Sequence, residues 1–218
     1  MKTLLPLLLL TLPAWAFTIE TQQHLPTTIT YSCPDELASW TQQALDSWNL
    51  ALSNTLQISR VIDHATISIL VVDDLGKQPS GVTIFGLTYA WGSTATIQLR
   101  RSAPYVFLVH ELGHALGLGH STDPDSVMRA ILVDGYIGQD DIDGVRFVFG
   151  LSPKVWDFKC LVRRHQASVL ATEKAEFVFN DGWYKVGVTR ASHRLPAGVY
   201  SVSMIAGGIC VKKSVTVR

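Results

Sequence analysis

Residues 110 to 120 read HELGHALGLGH and hold three of the chain's seven histidines. On a helix, an offset of four sets two side chains on one face, one turn apart, so His110 and His114 can aim their imidazoles at a single point. Zinc accepts neutral imidazole nitrogen at about 2.0–2.1 Å and prefers four ligands in a tetrahedron. Two histidines do not fill it. His120 supplies a third if the chain leaves the helix and turns back. Gly117 sits where that turn falls, since glycine adopts the left-handed conformation that ends helices without steric cost. The fourth position then stays open to water, as catalytic zinc requires and structural zinc does not. Glu111 follows a ligand without being one. Its carboxylate suits a general base that takes a proton from an ion-activated water as the water attacks a peptide carbonyl, then passes it to the leaving amine. HExxH alone also arises as a solvated His/Glu helix face, but a third histidine beyond Gly117 lengthens the pattern.

These side chains need a scaffold, and the flanking sequence supplies candidates. Residues 27–31 (TTITY) read as a first strand. Ser32-Cys33-Pro34-Asp35-Glu36 reads as a helix start, with Ser32 as cap and acids at the positive end. Leu37, Trp40, Ala44, Leu45, Trp48 and Leu52 follow at helical spacing on one apolar face, with the helix ending near Ser53. Residues 56–62, 66–72, 86–91 (GLTYAW) and 95–100 are strand candidates. Residues 103–118 form a helix carrying the histidine motif. Residues 140–149 form another, with Ile142, Val145 and Phe149 sharing a face. This order is that of an α+β domain ending near Gly150. Residues 151–154 read as a linker. Residues 155–218 read as a small all-β unit, with strands near 176–179, 183–188, 198–204 and 210–217 and turns at Asn180-Asp181-Gly182 and Pro196-Ala197-Gly198.

The chain has 218 residues, 47% of them hydrophobic and 17% charged, enough apolar material for a packed core and unlike a disordered chain. Residues 1–16 combine a basic start at Lys2, a short apolar run and an Ala14-Trp15-Ala16 cleavage site. They read as a secretory signal peptide, with an uncleaved anchor as the alternative. No later segment is apolar enough to span a membrane, so the expected location is secreted or extracellular, the periplasm included. In that setting Cys160 and Cys210 are the expected disulfide pair, leaving Cys33 as a thiol. Formal charge is zero overall, yet residues 17–150 carry 14 acids against 6 bases and residues 151–218 carry 4 acids against 11 bases. The halves therefore stand at −8 and +7. The basic half suits contact with an anionic surface or polymer. No element for specific nucleic-acid binding is read.

The full pattern HExxHxxGxxH resembles the zinc motif of the metzincin peptidases, whose signature adds a methionine in a tight turn beneath the metal. Ser126-Val127-Met128 is similar to that turn. HSTDPDSVM (120–128) and IGQDDIDGVRFVFG (137–150) resemble the matrixin branch, as does TITYSCPDELASWTQQALDSWN (28–49) less specifically. The resemblance covers residues 27–150. It implies a secreted zinc endopeptidase with a twisted mixed sheet, three helices and a cleft. It also implies one catalytic Zn2+ held by His110, His114 and His120, with Glu111 as base and Met128 as the Met-turn residue. Protein or peptide substrate would add as a strand along an edge formed by Gly86, Leu87, Thr88, Tyr89, Ala90 and Trp91. An ordinary edge strand is the alternative reading of that stretch. Matrixin features that the chain lacks include a His/Asp cluster between residues 71 and 101. Asp73 and Asp74 are the acids that could help bind Ca2+, which the sequence does not otherwise support. Arg129-Ala130-Ile131-Leu132 stands where many matrixins place a Pro-x-Tyr pocket wall. A second reading makes the chain a surface- or polyanion-binding protein whose basic β-unit carries the function, although a purely structural zinc site has no use for Glu111.

Overall fold

The computed structural model describes residues 17–19, 26–80, 83–131, 136–152, 158–163 and 165–218. The expected signal peptide, part of the expected linker and Leu132 lie outside the described residues.

Among the described residues the fold is α+β, with three α-helices, one mixed five-stranded sheet and one antiparallel five-stranded sheet. Strand β1 (Phe17–Ile19) comes first, then β2 (Thr28–Ser32), α1 (Ala38–Ala51), β3 (Gln57–Arg60) and β4 (Ile67–Val72). The hairpin strands β5 (Gly86–Trp91) and β6 (Thr94–Arg100) lead into α2 (Tyr105–Ala115), β7 (Leu118–Ser121) and α3 (Gln139–Val148). One five-stranded sheet has the order β3-β2-β4-β6-β5. Its first four strands run parallel, and β5 runs antiparallel along β6 as the edge. Alternation explains the layering: Ala95, Ile97 and Leu99 of β6 are buried while Thr96 and Gln98 are less so. Ile67 and Ile69 of β4 join them in the core beneath α1 and α2.

Helix α1 begins later than its sequence suggests. Ser32 stays in β2, where its hydroxyl donates to Ser68 Oγ at 3.4 Å, and Pro34 is extended. A 3-10 turn over Asp35–Leu37 then feeds the helix. Ala44, Leu45 and Trp48 are buried as expected, but Trp40 is 41% exposed and packs edge-on against Tyr105, with ring centroids 5.7 Å apart. Trp48 Nε1 donates to the Val109 carbonyl at 3.0 Å, tying α1 to the motif helix. From α3, the buried Arg146 donates to the carbonyls of Ser152 (2.6 Å) and Ala51 (3.1 Å), closing the other end of α1.

Strands β8 (Lys159–Arg163), β9 (Gln166–Phe179), β10 (Tyr184–Arg194), β11 (Gly198–Ala206) and β12 (Ile209–Val217) form a second, antiparallel five-stranded sheet. It is more extensive than its sequence suggested, since β8 and the first half of β9 were not expected. Phe158, Phe177, Phe179 and Val202 fill its interior. The expected Cys160–Cys210 disulfide is not seen, and all three cysteines stand as thiols. Cys160 lies on β8 opposite Val169, and Cys210 lies on β12 opposite Ile205. Burial also pushes the Cys160 thiol up, against the pull of Lys213, away from the thiolate that disulfide exchange requires.

Candidate metal centre

Helix α2 ends at Ala115, and Gly117 reverses the chain with φ of 101°, which only glycine adopts without strain. The chain then runs back as β7, carrying His120. The reversal brings His110, His114 and His120 together, with their candidate ligand atoms all within 4.8 Å of one another. Ring centroids are 4.6, 5.5 and 5.0 Å apart for the three pairs. His110 and His114 are buried; His120 is exposed.

Hydrogen bonds settle which nitrogens face inward. His110 Nδ1 lies 2.8 Å from the Val127 carbonyl, and His114 Nδ1 lies 2.7 Å from the Leu118 carbonyl. A carbonyl only accepts, so each Nδ1 carries a proton and each ring turns its Nε2 toward its neighbour. Those two Nε2 atoms are 3.0 Å apart. A shared cation would draw both nitrogens toward one point. Two nitrogens on one tetrahedral zinc sit roughly 3.3–3.4 Å apart, close to what is found. Burial, assisted by the neighbouring His114 and His120, lowers the His110 pKa to about 4, against the pull of the Val127 carbonyl. The ring is thus neutral at physiological pH, the form a metal needs. The donor set fits zinc.

Glu111 is buried on the same helix and faces strand β5. Thr88 Oγ1 donates to Glu111 Oε2 at 2.6 Å and lies 3.1 Å from the Glu111 carbonyl oxygen. A Cβ on Gly86 would come within 2.5 Å of Glu111 Cγ and Oε1. Gly86 and Thr88 therefore flank the carboxylate. Leu87 and Ala90 are partly buried, while Tyr89 and Trp91 are exposed. Thus the six residues of the expected edge strand do form that edge, and two of them also touch Glu111. Sequence reasoning missed this contact, because nothing local links residues 88 and 111.

Met128 is buried, with its sulfur against Gly113, where any Cβ would overlap it and come within 2.9 Å of Trp48 Cζ2. The turn bearing Met128 is held by a residue not anticipated for this role. Asp141, fully buried in the first turn of α3, accepts from the backbone N–H of Val127 (2.8 Å), Met128 (3.3 Å) and Gly138 (2.8 Å) and from the Ser126 hydroxyl. The Met128 carbonyl in turn accepts from Ser121 N–H at 2.8 Å, fastening the turn to β7. Strand β1 pairs antiparallel with the other edge of β7, and Thr18 Oγ1 donates to the His120 carbonyl at 2.8 Å. The acids considered for calcium are engaged elsewhere. Arg101 Nε donates to Asp73 at 3.0 Å, and Arg100 lies 3.6 Å from Asp74. Among the described residues the three histidines are the one cluster with metal-holding geometry.

A helix bearing two of three convergent imidazoles, with a glutamate between them and a methionine turn beside them, resembles the arrangement expected of a matrixin-like zinc site. The matrixin family model matches residues 59–150 of this chain. Human matrix metalloproteinase-25 is 44% identical over 57 residues, covering 23% of this chain and 10% of that protein. Metalloendoproteinase 1 of Glycine max is 45% identical over 53 residues, covering 21% of this chain and 16% of that protein. Human neutrophil collagenase is 48% identical over 85 residues, covering 35% of this chain and 17% of that protein. The chain therefore spans only 10 to 17% of the length of these curated relatives.

Proposed function

We propose that the protein is a secreted zinc endopeptidase that hydrolyses internal peptide bonds of proteins, with Glu111 as general base and His110, His114 and His120 as metal ligands. The observation that carries this reading is the convergence of the three imidazoles, with the His110 and His114 Nε2 atoms 3.0 Å apart and His120 closing the cluster. Zinc bound there would act as a Lewis acid on the scissile carbonyl and activate the attacking water. The chain's own residues do the rest. The Val127 and Leu118 carbonyls hold the His110 and His114 tautomers. Glu111, adjacent to a ligand, accepts the proton from the attacking water at its carboxylate and returns it to the departing amine. The outer edge of β5 offers backbone groups to an extended substrate, which supports peptide binding as an added strand. The apolar run and small-residue cleavage site in residues 1–16 support export. No helix among the described residues is long and apolar enough to cross a membrane.

The purified full chain is expected to digest casein, to stop when a zinc chelator is added and to resume when zinc is restored. Glu111→Ala should retain zinc and lose roughly 10³-fold or more in kcat. Full activity in that variant would remove Glu111 from the mechanism, and casein hydrolysis insensitive to the chelator would remove the metal.

A further inference from the structure

We propose that Thr88 is a positioning residue that orients the Glu111 carboxylate for proton transfer, an inference that rests on the reading of Glu111 as base. Glu111 leaves its helix through three rotatable bonds, so burial alone does not fix the plane of its carboxylate. Two features of β5 do. The Thr88 hydroxyl donates to Oε2 at 2.6 Å, a short hydrogen bond. Gly86, two residues earlier on the same face of the strand, leaves the space that Cγ and Oε1 occupy, since a Cβ there would come within 2.5 Å of both. The donor is itself rigid. Thr88 is β-branched, which restricts its χ1, and its backbone is in register with Ile97 on β6 in a continuous ladder. The same hydroxyl lies 3.1 Å from the Glu111 carbonyl, so strand and helix are joined at the residue that must not shift. Thr88 thus links the substrate edge to the base: the strand proposed to receive the peptide also sets the direction of the group that acts on it. A valine would preserve shape and packing but not the donor, whereas a serine would preserve the donor but not the methyl.

The test compares full-length wild type, Thr88→Val, Thr88→Ser, Glu111→Gln and the Thr88→Val/Glu111→Gln double variant, all zinc-loaded, on a fluorogenic peptide derived from casein. Thr88→Val should lower kcat by roughly 10- to 100-fold with KM, zinc content and thermal midpoint unchanged. Thr88→Ser should recover most of that loss. The double variant should be no slower than Glu111→Gln alone, because a positioning residue has nothing left to position. A crystal structure of Thr88→Val supplies a readout independent of turnover: the carboxylate should leave its place over Gly86. Four results overturn the proposal: kcat within twofold of wild type in Thr88→Val, a change confined to KM, loss of zinc or of folding in Thr88→Val without rescue in Thr88→Ser, or an unmoved carboxylate. If Glu111→Gln itself remains active, the base assignment fails and this inference fails with it. If Glu111→Gln is inactive while Thr88→Val is unaffected, only the inference about Thr88 is lost.

Discussion

Met128 packs its sulfur onto the backbone of α2 because Gly113, the residue before His114, has no side chain there. That contact links the turn to the ligand helix twice over, since Val127, the neighbour of Met128, presents the carbonyl that holds His110 Nδ1. Gly113→Ala would drive a methyl into Met128 Sδ and toward Trp48 Cζ2. Overpacking of this kind costs about 1–3 kcal/mol. The expected outcome is a lower denaturant midpoint together with weaker zinc retention, measured by competition with a chromogenic chelator. An unchanged midpoint would mean that Met128 repacks without consequence. At this scale the sequence was most informative where chemistry depends on local offsets. Residues 110, 114 and 120 could be assigned as a cluster because helical geometry and one glycine relate them. The Thr88 contact with Glu111 spans 23 positions and depends on how a strand meets a helix, which no offset encodes.

At the scale of elements, sequence pattern located β2 to β6 and the three helices of the metal-bearing half, although α1 starts later than expected and β7 was not expected. The first strand of the chain and much of the second sheet escaped it. Strand β1 has three residues and pairs with β7 far along the chain. Strand β9 interleaves Glu173, Lys174 and Glu176 with its apolar positions, and β10 is exposed at most positions, so alternation is weak in both. The expected disulfide, which is not seen, rested on compartment, cysteine count and the nearness of Cys160 and Cys210 in sequence, none of which specifies side-chain geometry. Helix α3 shows how an element can serve a distant site. Its Asp140 and Asp141 read as ordinary acids at a helix start, but Asp141 turns inward to organise the Met128 turn while Asp140 accepts from Ser121 at 2.5 Å. Burial raises the Asp141 pKa from 3.8 to about 6, outweighing the opposite pull of Ser126, Gly138, Val127 and Met128. The folded state therefore binds this proton more tightly than the unfolded chain does. Its favourable contribution to stability is complete below about pH 4 and is lost as pH rises to about 6, with no further change above. The difference in unfolding free energy between wild type and Asp141→Asn should therefore fall by about 3 kcal/mol across that window, at 1.36 kcal/mol per pKa unit. Urea titrations at pH 4, 5, 6 and 7 measure it, and a difference that grows with pH would reverse the assignment.

At the scale of the whole molecule, the second sheet is joined to the metal-bearing half at the β11–β12 turn. Ile137 N–H donates to the Gly208 carbonyl at 3.0 Å, and Cys210 N–H donates to the Ile137 carbonyl at 3.1 Å. Lys212 pairs with Asp125. Asp125 and Ile137 bracket the stretch that contains Met128, so the hairpin touches the Met128 turn's support from both sides. The turn itself sits against α1, where a Cβ on Gly208 would overlap Ser47 Oγ and a Cβ on Gly207 would overlap Leu50. These contacts predict that disturbing the hairpin is felt at the histidines. Gly208 (φ 83°) and Gly182 (φ 89°) occupy similar left-handed conformations, but nothing lies within 4 Å of a Cβ built on Gly182. Alanine at either position carries the same backbone penalty of about 1–2 kcal/mol. Only Gly208→Ala also opens the seam, so it should lower the thermal midpoint further than Gly182→Ala and release zinc to a chelator several-fold faster. Gly182→Ala should release zinc at the wild-type rate. Equal release rates in the two variants would mean that the second sheet is attached to the metal-bearing half without bracing it.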